Sequence, residues 1–146
     1  MKVNDILEAK GRKVFTIKSD KSLKDALDAI VINKIGSLLV LNDKNDFVGI
    51  ISERDLVKEF HKSNNVALDK TISEIMTTNI IVGILEDEIE EVEAIMTENR
   101  FRHLPIMNEG EVVGIVSIGD IVKSLSAKRK TENRYLKEYI MGKYPA

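Results

Sequence analysis

Cysteine is absent from the 146 residues, which removes disulfides and thiolate chemistry from consideration and agrees with a reducing compartment. Histidine is scarce. His61 and His103 lie far apart in the chain, and without cysteine they are poor material for a zinc site. No Gly-x-x-x-x-Gly-Lys-Ser/Thr loop occurs, so P-loop hydrolysis has no support. Long apolar runs are missing too. The longest, Ile80 to Leu85, is far too short to cross a bilayer. Met1-Lys2-Val3-Asn4-Asp5 lacks the apolar core of a signal peptide, so the cytoplasm is the expected location.

Neither sign of charge dominates. Twenty-two basic residues face 24 acidic ones, for a formal charge of −2, which gives little pull towards nucleic acid or an anionic membrane. Lys128-Arg129-Lys130 lacks interleaved aromatics and suits a helix surface. Glu86, Asp87, Glu88, Glu90, Glu91 and Glu93 gather at the start of a predicted helix, where the dipole favours acids on a solvated face. Metal binding and acid–base work are the lesser readings of that cluster. No nucleophile stands out beside a base, and the expectation is a non-enzyme with no catalytic cofactor and no metal.

What is present is a repeat. Hydrophobic residues make up 43% and charged residues 32%, enough interior for one domain or two small ones sharing a core. Gly49-Ile50-Ile51-Ser52-Glu53-Arg54-Asp55-Leu56-Val57-Lys58 returns as Gly114-Ile115-Val116-Ser117-Ile118-Gly119-Asp120-Ile121-Val122-Lys123. Leu38–Asn42 lies over Leu104–Asn108, and Val3–Leu7 over Ile72–Met76, with an offset that drifts from 69 to 66 to 65. Order kept across three blocks marks a duplication. The copies span roughly 1–65 and 66–126, followed by a tail, 127–146.

Each copy predicts β-α-β-β-α. In the first, Val14–Ile17 is a short strand. Leu23, Ala26, Leu27, Ile30 and Val31 form one apolar helix face behind Ser22 as N-cap. Leu38–Leu41 and Phe47–Ser52 pair across a polar turn, and a helix runs from about Glu53 to Phe60. In the second, strands are expected at Ile80–Val82, His103–Met107 and Val112–Ser117, with helices at Glu88–Asn99 and Ile118–Ser126. A unit of about 60 residues buries too little alone, so the two repeats are expected to pack back to back. The fold class is therefore α/β (α+β): two β-α-β-β-α repeats as a pseudo-twofold pair, plus a C-terminal helix.

The Ser-x-x-Asp step between strand and helix has two readings. It is a capping box, in which serine caps the helix and the acid reaches back. It is also the start of an anion-attracting helix terminus, where a hydroxyl and backbone N–H groups can hold phosphate and a carboxylate can accept from two vicinal hydroxyls. The two roles are compatible.

Gly49–Asp55 and Gly114–Asp120, a glycine, two apolar residues, serine, two variable residues and aspartate, resemble the nucleotide motif of CBS (cystathionine-β-synthase) domains. Two such domains in tandem form a Bateman module, and the resemblance covers residues 1–126. Arg102-His103-Leu104-Pro105-Ile106 and the tail Glu132–Ile140 followed by Gly142 also resemble short stand-alone bacterial and archaeal members.

The resemblance implies a regulatory module that binds an adenine nucleotide (AMP, ADP, ATP or NAD(H)), senses energy or redox state and signals to a client protein. The competing expectation is a structural or interaction module without nucleotide. By the same resemblance Asp55 and Asp120 hold ribose, while Ser52 and Ser117 lie near phosphate. Gly49 and Gly114 keep the strand bare, and Thr16, Ile17, Asn79 and Ile81 line the adenine slot. Gly36, Ser37 and Pro105 complete the candidate set.

The copies differ. Arg54 stands where the second copy has Gly119, and Arg102 and His103 stand where the first has Gly36 and Ser37. That predicts two unlike sites, although Arg102 also suits a surface cation and His103 a packed side chain. The stripe of Tyr135, Leu136, Tyr139 and Ile140 within Ala127–Met141 needs a packing partner. Because Bateman modules pair through helices, a homodimer is expected.

Overall fold

Ser22 starts the first long helix as its side chain dictates: its Oγ accepts the Asp25 N–H at 3.1 Å, and the Asp25 carboxylate accepts the Ser22 N–H at 3.2 Å. Behind this cap Leu23, Ala26 and Ile30 turn one face inward, and all three are buried. The helix ends at Lys34, in the left-handed region with φ 54°. Of the apolar face read from sequence, Leu27 is half-buried and packs against the core, while Val31 turns outward and is exposed.

The computed structural model describes residues 1–63 and 67–128. In chain order the elements are α1 (Val3–Lys10), β1 (Thr16–Lys18), α2 (Leu23–Asn33), β2 (Ser37–Leu41), β3 (Phe47–Ser52) and α3 (Glu53–Ser63). A 3-10 turn (Ala67–Asp69) leads to α4 (Ile72–Ile75), β4 (Gly83–Ile84), α5 (Ile89–Asn99), β5 (His103–Asn108), β6 (Glu111–Ser117) and α6 (Ile118–Lys128). Two three-stranded sheets result, β1-β2-β3 and β4-β5-β6. In each, the first pair is parallel and the second antiparallel. The expected C-terminal helix and its aromatic stripe lie outside the described residues.

Several expectations shift. The first strand is Thr16–Lys18 instead of Val14–Ile17, and the fourth is Gly83–Ile84 instead of Ile80–Val82. Both edges are set by pairing rather than by local composition: Thr16 lies opposite Leu39, and Gly83 opposite Ile106. Glu88 is the N-cap of α5, not its first residue. Each copy also gains a short leading helix, α1 or α4, which the β-α-β-β-α pattern lacked.

These leading helices are exchanged. The chain forms two units, one of Lys13–Ile81 and one of Met1–Arg12 with the residues from Val82 onward. Helix α1, from the first copy, packs with the second copy's sheet: Val3 N–H donates to Asp87 O at 2.9 Å and Asn4 N–H to Leu85 O at 3.0 Å. Helix α4, from the second copy, does the same in the other unit, with Ile72 N–H on Lys21 O at 2.8 Å and Ser73 N–H on Ser19 O at 3.0 Å.

Each exchanged helix seats an apolar side chain under a motif glycine. A Cβ on Gly114 would stand 2.8 Å from Leu7 Cδ2, and one on Gly49 would stand 2.5 Å from Met76 Sδ. Leu7 and Met76 are equivalent in the repeat. The motif glycines are thus bare to admit a helix, an approach that a Cβ forbids. That is a different reason from the strand-clearing role expected by resemblance.

The two cores follow the same division. One joins Val3, Ile6 and Leu7 of α1 to Ile89, Val92, Met96, Leu104, Ile106, Val116, Ile121 and Leu125. The other joins Ile72 of α4 to Leu23, Ala26, Ile30, Leu38, Val40, Ile51 and Leu56. Burying a leucine such as Leu7 contributes about 1.5–3 kcal/mol, so an exchanged helix is an integral part of its unit.

Candidate functional site

Both Ser-x-x-Asp steps form complete capping boxes. Ser52 N–H donates to Asp55 Oδ2 at 2.9 Å, and Asp55 N–H to Ser52 Oγ at 3.1 Å. Ser117 and Asp120 repeat both bonds at the same 2.9 and 3.1 Å. The next donor is also committed: Glu53 N–H reaches Gly36 O at 2.9 Å, and Ile118 N–H reaches Arg102 O at 2.8 Å. Gly36 and Arg102 therefore touch the motifs through backbone carbonyls. At each helix start the second N–H, of Arg54 or Gly119, makes none of these bonds. So the supply of backbone donors for an anion is narrower than the sequence suggested. Each aspartate keeps Oδ1 clear of the cap.

In the unit of Lys13–Ile81 the predicted residues gather at one end of the sheet. Ser37 lies opposite Ser52 across β2 and β3, and Thr16 begins β1 beside them, opposite Leu39. Ser37 is buried, Arg54 and Thr16 are exposed, and Asp55 is half-buried. The Ile17 side chain packs against the core. Asn79 and Ile81 belong to this unit as well, both exposed. They follow α4, which the helix exchange carries into this unit. A surface hollow of about 280 Å³ at the other end of the sheet, lined by Ser19, Asn42, Asp43, Lys44 and Asp46, contains none of the predicted residues.

In the other unit His103 lies opposite Ser117 and Pro105 opposite Ile115 across β5 and β6. Pro105 is buried, His103 half-buried, and Arg102 and Gly119 are exposed. Ser117 Oγ stands 3.5 Å from where a Gly119 Cβ would be.

One residue here was not singled out from sequence. Lys10, the last residue of α1, donates through Nζ to Asp120 Oδ2 at 2.6 Å and to Ile115 O at 2.9 Å. Burial by itself raises the Asp120 pKa. The Lys10 ammonium and the Ser117 N–H and hydroxyl outweigh that effect and hold it below the usual aspartate value. The repeat offset of 69 holds for Val3–Leu7 over Ile72–Met76, but α4 ends at Ile75 while α1 runs on to Lys10, so the second copy's helix has no counterpart of Lys10. Among the described residues, Asp55 has no equivalent ion pair.

The CBS-domain family model matches residues 3–62 and 72–127. The chain belongs to the CBS-domain family. The CBS-domain protein ATU1752 of Agrobacterium tumefaciens is 37% identical with a TM-score of 0.81, covering 84% of this chain and 91% of that one. The CBS domain pair of protein MJ0100, solved with 5′-methylthioadenosine and S-adenosyl-L-methionine, is 29% identical with a TM-score of 0.76, covering 88% of this chain and 98% of that one. An uncharacterised 17.7 kDa protein of Acidianus ambivalens is 37% identical over 115 residues, 77% of this chain and 68% of its own length. This is a tandem pair of CBS domains in a mixed α/β fold.

Proposed function

We propose that this CBS pair is a regulatory module that binds adenine nucleotides, with AMP, ADP, ATP and NAD(H) as the candidate ligands, and reports binding to a client protein without catalysing a reaction. The observation that carries it is the pair of half-buried aspartates, Asp55 and Asp120, fixed at helix starts by one oxygen with the other clear of the cap. A carboxylate so fixed is suited to two vicinal hydroxyls, since it accepts at both oxygens. Likeness to a CBS pair that holds two adenosyl compounds supports an adenosine-type ligand. Ser52 and Ser117, with Arg54 or Lys10 beside them, supply the polar and cationic groups a phosphate needs.

Signalling requires that the nucleotide bind two shapes of the protein with different affinity. A homodimer and a client protein complete the proposal. A second reading, a non-catalytic interaction module whose motifs serve only as caps, is favoured by the completeness of the capping boxes. Calorimetry with AMP, ADP, ATP and NADH separates the two. Saturable heat supports the nucleotide module, and neither heat nor thermal shift at millimolar ligand supports the cap-only reading.

A further inference from the structure

We propose that Lys10 is the specificity-determining residue of the second motif, making it select phosphorylated adenosine ligands over neutral ones. This rests on the nucleotide-binding reading above. The ammonium of Lys10 spans Asp120 Oδ2 at 2.6 Å and Ile115 O at 2.9 Å. Both side chains of the pair are partly screened, with 39% of Lys10 and 23% of Asp120 exposed.

A ribose that donates to Asp120 must share the carboxylate with this ammonium or displace it. An ammonium has three donors, and two are in use. A ligand with a 5′-phosphate offers Lys10 a second anion and can exchange one charge-assisted bond for another. A nucleoside without phosphate weakens the Lys10–Asp120 pair and returns nothing to the cation. The penalty therefore falls on the neutral ligand alone.

The first motif is built otherwise. Helix α4 ends at Ile75 and carries no counterpart of Lys10, and Arg54 projects from the motif helix itself, exposed and without an ion pair among the described residues. Its cation need not leave the aspartate before a ligand binds. The two motifs thus differ in the cost of admitting a neutral nucleoside, and the difference originates in an exchanged helix.

The test is calorimetric titration of AMP and adenosine, which differ only in the phosphate. Wild-type protein, Asp55→Asn (to weaken the first motif), and Asp55→Asn combined with Lys10→Met or Lys10→Arg are compared. In Asp55→Asn protein AMP should bind at least about tenfold more tightly than adenosine, the scale of one hydrogen bond to a charged group. Lys10→Met should collapse that ratio towards one, chiefly by tightening adenosine, and Lys10→Arg should restore most of it. A ratio unmoved by Lys10→Met, or equal weakening of both ligands, overturns the proposal. So does wild-type binding that vanishes entirely in Asp55→Asn. If wild-type protein binds neither compound, the nucleotide reading falls together with this proposal. Unchanged urea midpoints for the Lys10→Arg protein guard against loss of fold.

Discussion

Leu7 fills the space above Gly114, with its Cδ2 only 2.8 Å from where a Cβ would stand, although the two residues come from different copies of the repeat. Leu7 is fully buried and cannot swing aside. Gly114→Ala should therefore destabilise the protein by about 1–3 kcal/mol, the range for overpacking. Leu7→Ala alone should cost about 2–5 kcal/mol as a cavity. The double variant should cost clearly less than the sum, because the added methyl enters the vacated space. Urea denaturation of the four proteins measures this, and strict additivity would show that the two residues do not meet.

Met76 makes the corresponding approach to Gly49, but it is half-buried and flexible at the sulfur end. Gly49→Ala should consequently cost less than Gly114→Ala. The Thr77 carbonyl, 3.1 Å from the same point, keeps the cost above zero. Equal losses at both glycines would contradict the ranking.

Ser52→Ala and Ser117→Ala each remove a cap that accepts an aspartate N–H at 3.1 Å. A loss of about 1 kcal/mol is expected for each. The two losses should match closely and add, since the bonds are equivalent and lie in separate units. A silent substitution at either site would mean that its helix start is capped by other groups.

Asp120 gives stability a pH dependence of definite sign. Its folded-state pKa is lowered, so its contribution is fully present above the unfolded value of about 4 and is lost as the pH falls towards the folded value. Wild type should therefore exceed Asp120→Asn in urea midpoint at pH 7, and the gap should narrow below about pH 4. Lys10→Met should follow the same course. A gap that stays constant down to pH 3 would show that the ion pair contributes nothing to stability.

The long elements were legible because their signals are local. Leu23, Ala26 and Ile30 recur at helical spacing, and Phe47–Ser52 is the strand where the apolar run placed it. The motif residues were legible because duplication marks them twice. The helix exchange was not, since Val3–Leu7 and Ile72–Met76 say that they are apolar and equivalent, not whose sheet they cover. Lys10 escaped notice for the same reason: 110 residues separate it from Asp120, and only tertiary packing joins them. Asn79 and Ile81 follow α4 in the chain, and the exchange carries them into the unit of Lys13–Ile81.

Titration of AMP into wild type, Asp55→Asn and Asp120→Asn by calorimetry tests the nucleotide reading most directly. Asparagine still accepts the capping N–H, so the helix starts survive while the carboxylate that would hold the ribose hydroxyls is gone. Saturable binding to wild type is expected, with each substitution weakening one component at least about tenfold and leaving the unfolding free energy within about 1 kcal/mol of wild type. Binding that is absent in wild type, or identical in all three proteins, would contradict the assignment of Asp55 and Asp120 as ligand residues.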